Sequence, residues 1–236
     1  QQEAAQQASQ SVRAIYRNIQ KSIFFLLSSN AGLCIAVFVA SFFSPQQVPP
    51  LTALQILWIN LVTNGLPALA LGMDPPEAGQ MHEAPRAPEA PIMGRRDWLG
   101  IMLVGGLMAA AAMAIYALPI WEGQAAHEVE RSKLSMVFTL LALSPLAHAF
   151  NCRSRVASIF KLGLFSNRLL VLAVLVSGAI HMMALLVPGL QPVFRTDHTW
   201  TLTEVAVTLG LSLLPVPAFE LAKLFKIGAP KAPVAA

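Results

Sequence analysis

Asn60, Thr63 and Asn64 lie inside the apolar run 51–72, where a polar side chain is costly unless it is paired or faces a cavity. A spacing of four puts Asn60 and Asn64 on one helix face, with Thr63 on the same side. Gly65 and Pro67 follow and weaken the helix beyond them; Pro67 brings no backbone N–H, which frees the carbonyl of Thr63 four residues earlier. Amide oxygens, a hydroxyl and a freed carbonyl in one place suit a hard cation. The same groups serve as interhelical hydrogen bonds, and residue chemistry alone leaves both readings open. The preceding apolar run, 22–43, carries Ser28, Ser29 and Asn30, then Gly32.

Other polar positions promise less. An intramembrane His can relay a proton or bind a metal. However, no second His, Cys or acid stands at ligand spacing beside His181, whose neighbours are Met182 and Met183. A polar contact inside a bundle is the expectation there. His148 lies near the end of its own run. The methionines show no Met-x-x-Met copper pattern and read as packing. Gly105-Gly106 reads as a close-packing point, and Pro215 and Pro217 as a kink. The chain contains no P-loop, no triad spacing and no Cys–Cys metal pair.

These residues need a scaffold that holds polar groups in hydrocarbon. Of the 236 residues, 56% are hydrophobic and 12% charged, against roughly 25% charged in soluble domains. Six runs are long enough to cross about 30 Å of hydrocarbon: 22–43, 51–72, 98–120, 134–151, 169–187 and 202–224. They lack the period-two alternation of barrel strands, so helices are expected. The fourth is interrupted by Pro145 and His148. The fold expected is therefore all-α: a polytopic bundle of six membrane helices. Residues 1–21 are helix-compatible, polar and free of Gly and Pro, and form either a stalk continuous with the first span or a frayed leader. The expected division is a cytoplasmic stalk helix over 1–21, the membrane domain over 22–226 and a disordered tail over 227–236. Residues 73–97 hold Pro75, Pro76, Pro85, Pro88 and Pro91 and read as an irregular linker.

Charge sets the orientation. Arg13, Arg17, Lys21, Arg86, Arg95, Arg96, Arg153, Arg155, Lys161, Arg168, Lys223, Lys226 and Lys231 fall on one side of the expected spans, and Arg131, Lys133 and Arg195 on the other. The positive-inside rule then places both termini in the cytoplasm. The net charge of +4 arises at these membrane edges, and no nucleic-acid partner is expected. Cys34 and Cys152 read as reduced and structural. The chain begins at Gln1, shows no signal-peptide pattern, and is expected to be a piece of a longer protein.

The run Gln55-Ile-Leu-Trp-Ile-Asn-Leu-Val-Thr-Asn-Gly-Leu-Pro-Ala-Leu-Ala-Leu-Gly-Met-Asp-Pro-Pro-Glu77 resembles the sixth transmembrane helix of type-II P-type ATPases, nearest in style to calcium pumps and their bacterial relatives. Arg13-Ala-Ile-Tyr-Arg-Asn-Ile-Gln-Lys-Ser-Ile23 with Leu27-Ser-Ser-Asn30 resembles that family's stalk and fifth helix, and His148-Ala-Phe-Asn-Cys-Arg-Ser154 the end of its eighth. The likeness extends over about residues 11–226, the last two spans matching in layout only. It implies that Asn30, Asn60 and Thr63 match donors of the family's ion site. It places Asn64 where the key aspartate usually stands, Leu33 where two-site calcium pumps place a glutamate, and Pro145 where some members have a carboxylate or amide. Neutral amides attract a divalent cation less than carboxylates do, so two-calcium stoichiometry is not expected.

The resemblance implies a transport-domain portion of a cation pump, calcium-like divalent cations being favoured. Its partners would be the lipid bilayer, the transported cation, the remaining pump domains and the first four helices. ATP and magnesium would be used by the full pump and no cofactor by this chain, which lacks the Asp-Lys-Thr-Gly phosphorylation motif. ATP hydrolysis by this chain alone is not expected. A plasma or bacterial inner membrane is the expected location. The missing carboxylates also fit a pump-derived, non-catalytic scaffold. An unrelated channel or secondary transporter fits the six spans but not the 55–77 run.

Overall fold

The computed structural model describes residues 2–43, 49–76, 91–121, 125–196 and 199–225. Within them the chain is all-α, and six helical segments are long and apolar enough to cross a membrane. Helix α1 (Gln2–Phe43) runs from the polar leader into the first span without a break. The stalk expectation therefore holds for the helix itself. The expected tail, 227–236, and most of the proline-rich linker lie outside the described residues.

The second span is Ala53–Gly72, built from α2 (Ala53–Trp58), a π-helical turn (Ile59–Thr63) and α3 (Gly65–Gly72). Its start is fixed by a reciprocal cap: Thr52 Oγ1 accepts from Gln55 N at 3.2 Å, and Gln55 Oε1 accepts from Thr52 N at 2.8 Å. Gln55 Nε2 also donates to Phe194 O at 2.7 Å, which ties this end to the loop after the fifth span.

Helix α4 (Arg95–Ala117) forms the third span, its first turn closed by Asp97 Oδ2 accepting from Gly94 N at 2.7 Å. The fourth span, α5 (Ala126–Asn151), starts eight residues earlier than expected, because Glu128, Glu130, Arg131 and Lys133 form polar first turns outside the apolar run. Lys133 lies over the Trp121 ring, 4.5 Å from its centroid. Pro145 sits inside α5 without ending it. After the short α6 (Ile159–Leu162) come the fifth span α7 (Arg168–Leu186) and the loop helix α8 (Gln191–Phe194). The sixth span is divided into α9 (Leu202–Leu213) and α10 (Pro215–Leu224) at Leu214, as Pro215 and Pro217 foretell.

Helix α5 is the most buried span and packs against α1, α3, α4, α7, α9 and α10. Leu57, Leu61, Leu69, Leu172, Leu175 and Leu209 point outward, as lipid-facing side chains must. Between α1 and α4 the backbones almost touch. A Cβ on Gly105 would lie 2.8 Å from Ala31 Cβ and 2.9 Å from Gly32 N, while one on Gly106 would meet nothing within 4 Å. Gly105 is thus the close-packing point, and Gly106 is not part of it.

Candidate cation site in the second span

The polar group in the second span sits at the π turn. Asn64 N–H donates to Ile59 O, five residues back, at 2.9 Å. Thr63 Oγ1 donates to the same carbonyl at 2.7 Å. Asn64 Nδ2 reaches Asn60 Oδ1 at 3.4 Å, so these two amides do share a face. Thr63 and Asn64 are both fully buried, and Asn60 is half-buried. Asn64 Oδ1 has no hydrogen-bond partner among the described residues. A buried amide oxygen without a partner is unusual in a folded protein.

Reading 51–72 as a regular helix misplaces its weak point, which lies at 59–63, before Gly65 and Pro67 rather than after them. A π turn adds one residue to a helical turn and releases backbone groups from regular pairing, a feature frequent at functional sites. Val62 O accepts from Ser177 Oγ of α7 at 3.0 Å, so the fifth span also holds the turn. Ser177 gave no sign of this in the sequence, since a lone Ser in an apolar helix is ordinary. Asn30 is half-buried on α1, and no hydrogen bond joins it to Asn60, Thr63 or Asn64. Leu33, which is buried, and Pro145 bring no charge to these helices. No group of three or more His, Cys, Asp or Glu that could hold a metal ion occurs among the described residues.

At the inner end of the second span Asp74 is the centre of an ion-pair knot. Its carboxylate accepts from Lys21 Nζ at 2.8 Å, Arg153 Nε at 3.0 Å and Asn167 Nδ2 at 2.7 Å. Its backbone carbonyl accepts from Asn18 Nδ2 at 2.7 Å. Ser22 Oγ donates to Ala68 O at 2.8 Å. The stalk, the second span, the segment after the fourth and the start of the fifth therefore meet at one carboxylate. A second, partly buried pair joins Arg155, in the segment after the fourth span, to Asp97 in the first turn of the third. The sequence marked Asp74 only as part of a motif and a linker; its role depends on partners far along the chain.

The two histidines differ. His148 is buried, with Nε2 3.2 Å from Cys152 Sγ and its ring against Phe24 and Phe219. His181 lies 4.9 Å from the Phe138 ring, and neither of its nitrogens has a hydrogen-bond partner among the described residues. The polar contact expected for it is not made there. Both cysteines are free thiols, as expected.

Residues 48–225 match the family described as cation transporting ATPase, C-terminus. Calcium-transporting ATPase 1 of Bacillus cereus is 36% identical over 227 residues, covering 91% of this chain and 25% of that protein. The calcium-transporting ATPase of Bacillus subtilis is 35% identical, with 89% and 23% covered. The endoplasmic reticulum calcium ATPase srcA of Aspergillus fumigatus is 30% identical, with 89% and 24% covered. The chain spans about a quarter of the length of these curated relatives.

Proposed function

Because the chain belongs to the cation-transporting ATPase C-terminal family, we propose that it is the transport-domain portion of a P-type pump, carrying a divalent, calcium-like cation past the π turn of its second span. The observation that carries this is the pairing of Asn60 with Asn64 beside a buried, unpartnered Asn64 Oδ1 at a helix interruption. Oxygen donors at a break in a membrane helix are the chemistry a hard cation needs when it sheds water. Asn60, Thr63 and Asn64 supply these donors, and Asn30 completes the set from α1. One ion rather than two fits a donor group without a carboxylate. ATP and magnesium act on domains outside this chain, and those domains and the first four helices are its partners. Both termini lie in the cytoplasm, of a plasma or bacterial inner membrane. The Asp74–Lys21–Arg153 knot couples the stalk to the site helix.

The test is cation-dependent phosphorylation of the protein at its full natural length. Asn64→Asp adds a charge to the ligand shell and is expected to shift half-maximal phosphorylation to lower cation concentration; Asn60→Ala is expected to shift it upward. If both substitutions leave the cation dependence unchanged, the amides are interhelical glue. The scaffold reading, favoured by the neutral donor set, would then take its place.

A further inference from the structure

The sixth span packs through a polar stripe. Within α9 the buried residues are Glu204, Thr208 and Ser212, four apart, while Leu202, Val205, Leu209 and Leu213 are exposed. This stripe faces α5. Glu204 accepts a hydrogen bond from Ser132 Oγ, and Ser212 O accepts from Ser144 Oγ at 2.9 Å. Asn151 Nδ2 reaches Val216 O at 3.3 Å, just beyond the break at Leu214. The three contacts follow the same direction along both helices, so the fourth and sixth spans run parallel. Thr139 lies between Ser132 and Ser144 along α5, and Thr208 between Glu204 and Ser212 along α9, so both threonines fall within the stretch that these two contacts bound. Ser135 stands one turn above Thr139 on the same face.

The Glu204 end of this seam is satisfied and its middle is not. Glu204 Oε2 also accepts from Thr201 N at 2.7 Å and Thr201 Oγ1 at 3.0 Å. Ser135 Oγ, Thr139 Oγ1 and Thr208 Oγ1 are buried and have no hydrogen-bond partner among the described residues. A Ser or Thr in a helix can settle its hydroxyl on the carbonyl four residues back. Ser28, Ser29, Ser41, Thr63 and Ser212 do so here. The three seam hydroxyls make no such bond. Three buried hydroxyls at the middle of one interface provide the several polar partners that a buried water requires, and a direct bond between them is not formed.

We propose that the Ser135–Thr139–Thr208 stretch binds water, forming a short hydrated seam between the fourth and sixth spans that ends on the Glu204 carboxylate. It is a second polar path in the bundle, on a different helix pair from the Asn60–Asn64 group and independent of the transport reading. Water here supplies each hydroxyl with a partner and gives Glu204 access to exchangeable protons from the face opposite the termini.

The experiment is thiol labelling in membranes carrying the full-length protein with Cys34→Ser. The probe is methanethiosulfonate ethylammonium, small and hydrophilic, added from the face opposite the termini. Thiolates react and thiols in hydrocarbon do not, so Thr208→Cys is expected to react about tenfold or more faster than Leu209→Cys, its lipid-facing neighbour at equal depth. Thr139→Cys reports the same stretch from α5 and is read in the same way should Thr208→Cys fail to assemble. Reaction at both seam positions no faster than at Leu209→Cys overturns the proposal and leaves a dry, strained interface.

Discussion

Lys21, Arg153 and Asn167 all donate to one carboxylate at Asp74, and the side chains of Lys21 and Arg153 are only 6% and 7% exposed. An amide at this position would remove the carboxylate charge on which these two buried cations converge. Breaking a buried pair in this way costs about 3–5 kcal/mol. Asp74→Asn is therefore expected to lower the thermal unfolding midpoint of the full-length protein in detergent sharply, as followed by tryptophan fluorescence. A shift of a degree or less would mean that the knot is solvated rather than buried. The contrast with the second-span amides shows what residue chemistry reveals by itself. Asn60 and Asn64 could be singled out because an amide in an apolar run is expensive wherever it points. Asp74, at the edge of its span and followed by prolines, is cheap until Lys21 and Arg153 are known to enclose it, and their sequence separations from it are 53 and 79. Ser177 was obscure for the same reason, since its partner lies on another helix.

At the scale of the helix, the π turn acts as a single extra residue within the second span. Deleting Leu61, which is 69% exposed and contributes little packing, would let residues 53–72 close as a regular helix with α2 and α3 still in register. The site would change: Asn60 and Asn64 would stand three apart instead of four, and the Val62 carbonyl would return to the helix. The deletion is expected to leave membrane insertion intact and to abolish cation-dependent phosphorylation. A variant that keeps wild-type cation dependence would show that the interruption is dispensable. A second helix-scale prediction concerns the α1–α4 contact. Gly105→Ala drives a methyl into Ala31 Cβ and the Gly32 backbone, which cannot rotate away, and overpacking of this kind costs about 1–3 kcal/mol. Gly106→Ala meets nothing within 4 Å and is expected to be neutral or to stabilise by up to about 1 kcal/mol. The paired unfolding midpoints check both. Span number and the unbroken stalk were legible because hydropathy and helix propensity act locally. The early start of α5 was not, since charged first turns resemble loop until Trp121 is seen beneath Lys133. The π turn was hidden because its side chains follow no pattern distinct from an α-helix.

At the scale of the whole molecule, the six candidate spans among the described residues are an even number, so the two ends of the chain are expected to share a side. Which side follows from charge. The basic residues at the termini's face include several already engaged: Lys21 and Arg153 with Asp74, Arg155 with Asp97, and Lys223 with Glu220 at 2.7 Å. Counted as net charge, the bias would shrink, and with it the inference. But insertion is decided before these pairs form, and Lys and Arg near the span ends set topology while Asp and Glu contribute little. The thirteen-to-three imbalance therefore retains its full weight, and both termini are expected to be cytoplasmic. A cysteine placed at Ala235 checks the orientation directly. It is expected to resist an impermeant thiol reagent applied to intact cells and to react once the membrane is opened. Labelling from outside intact cells would invert the bundle, put the Asp74 knot on the outer face, and remove the stalk from any cytoplasmic domain it could be driven by.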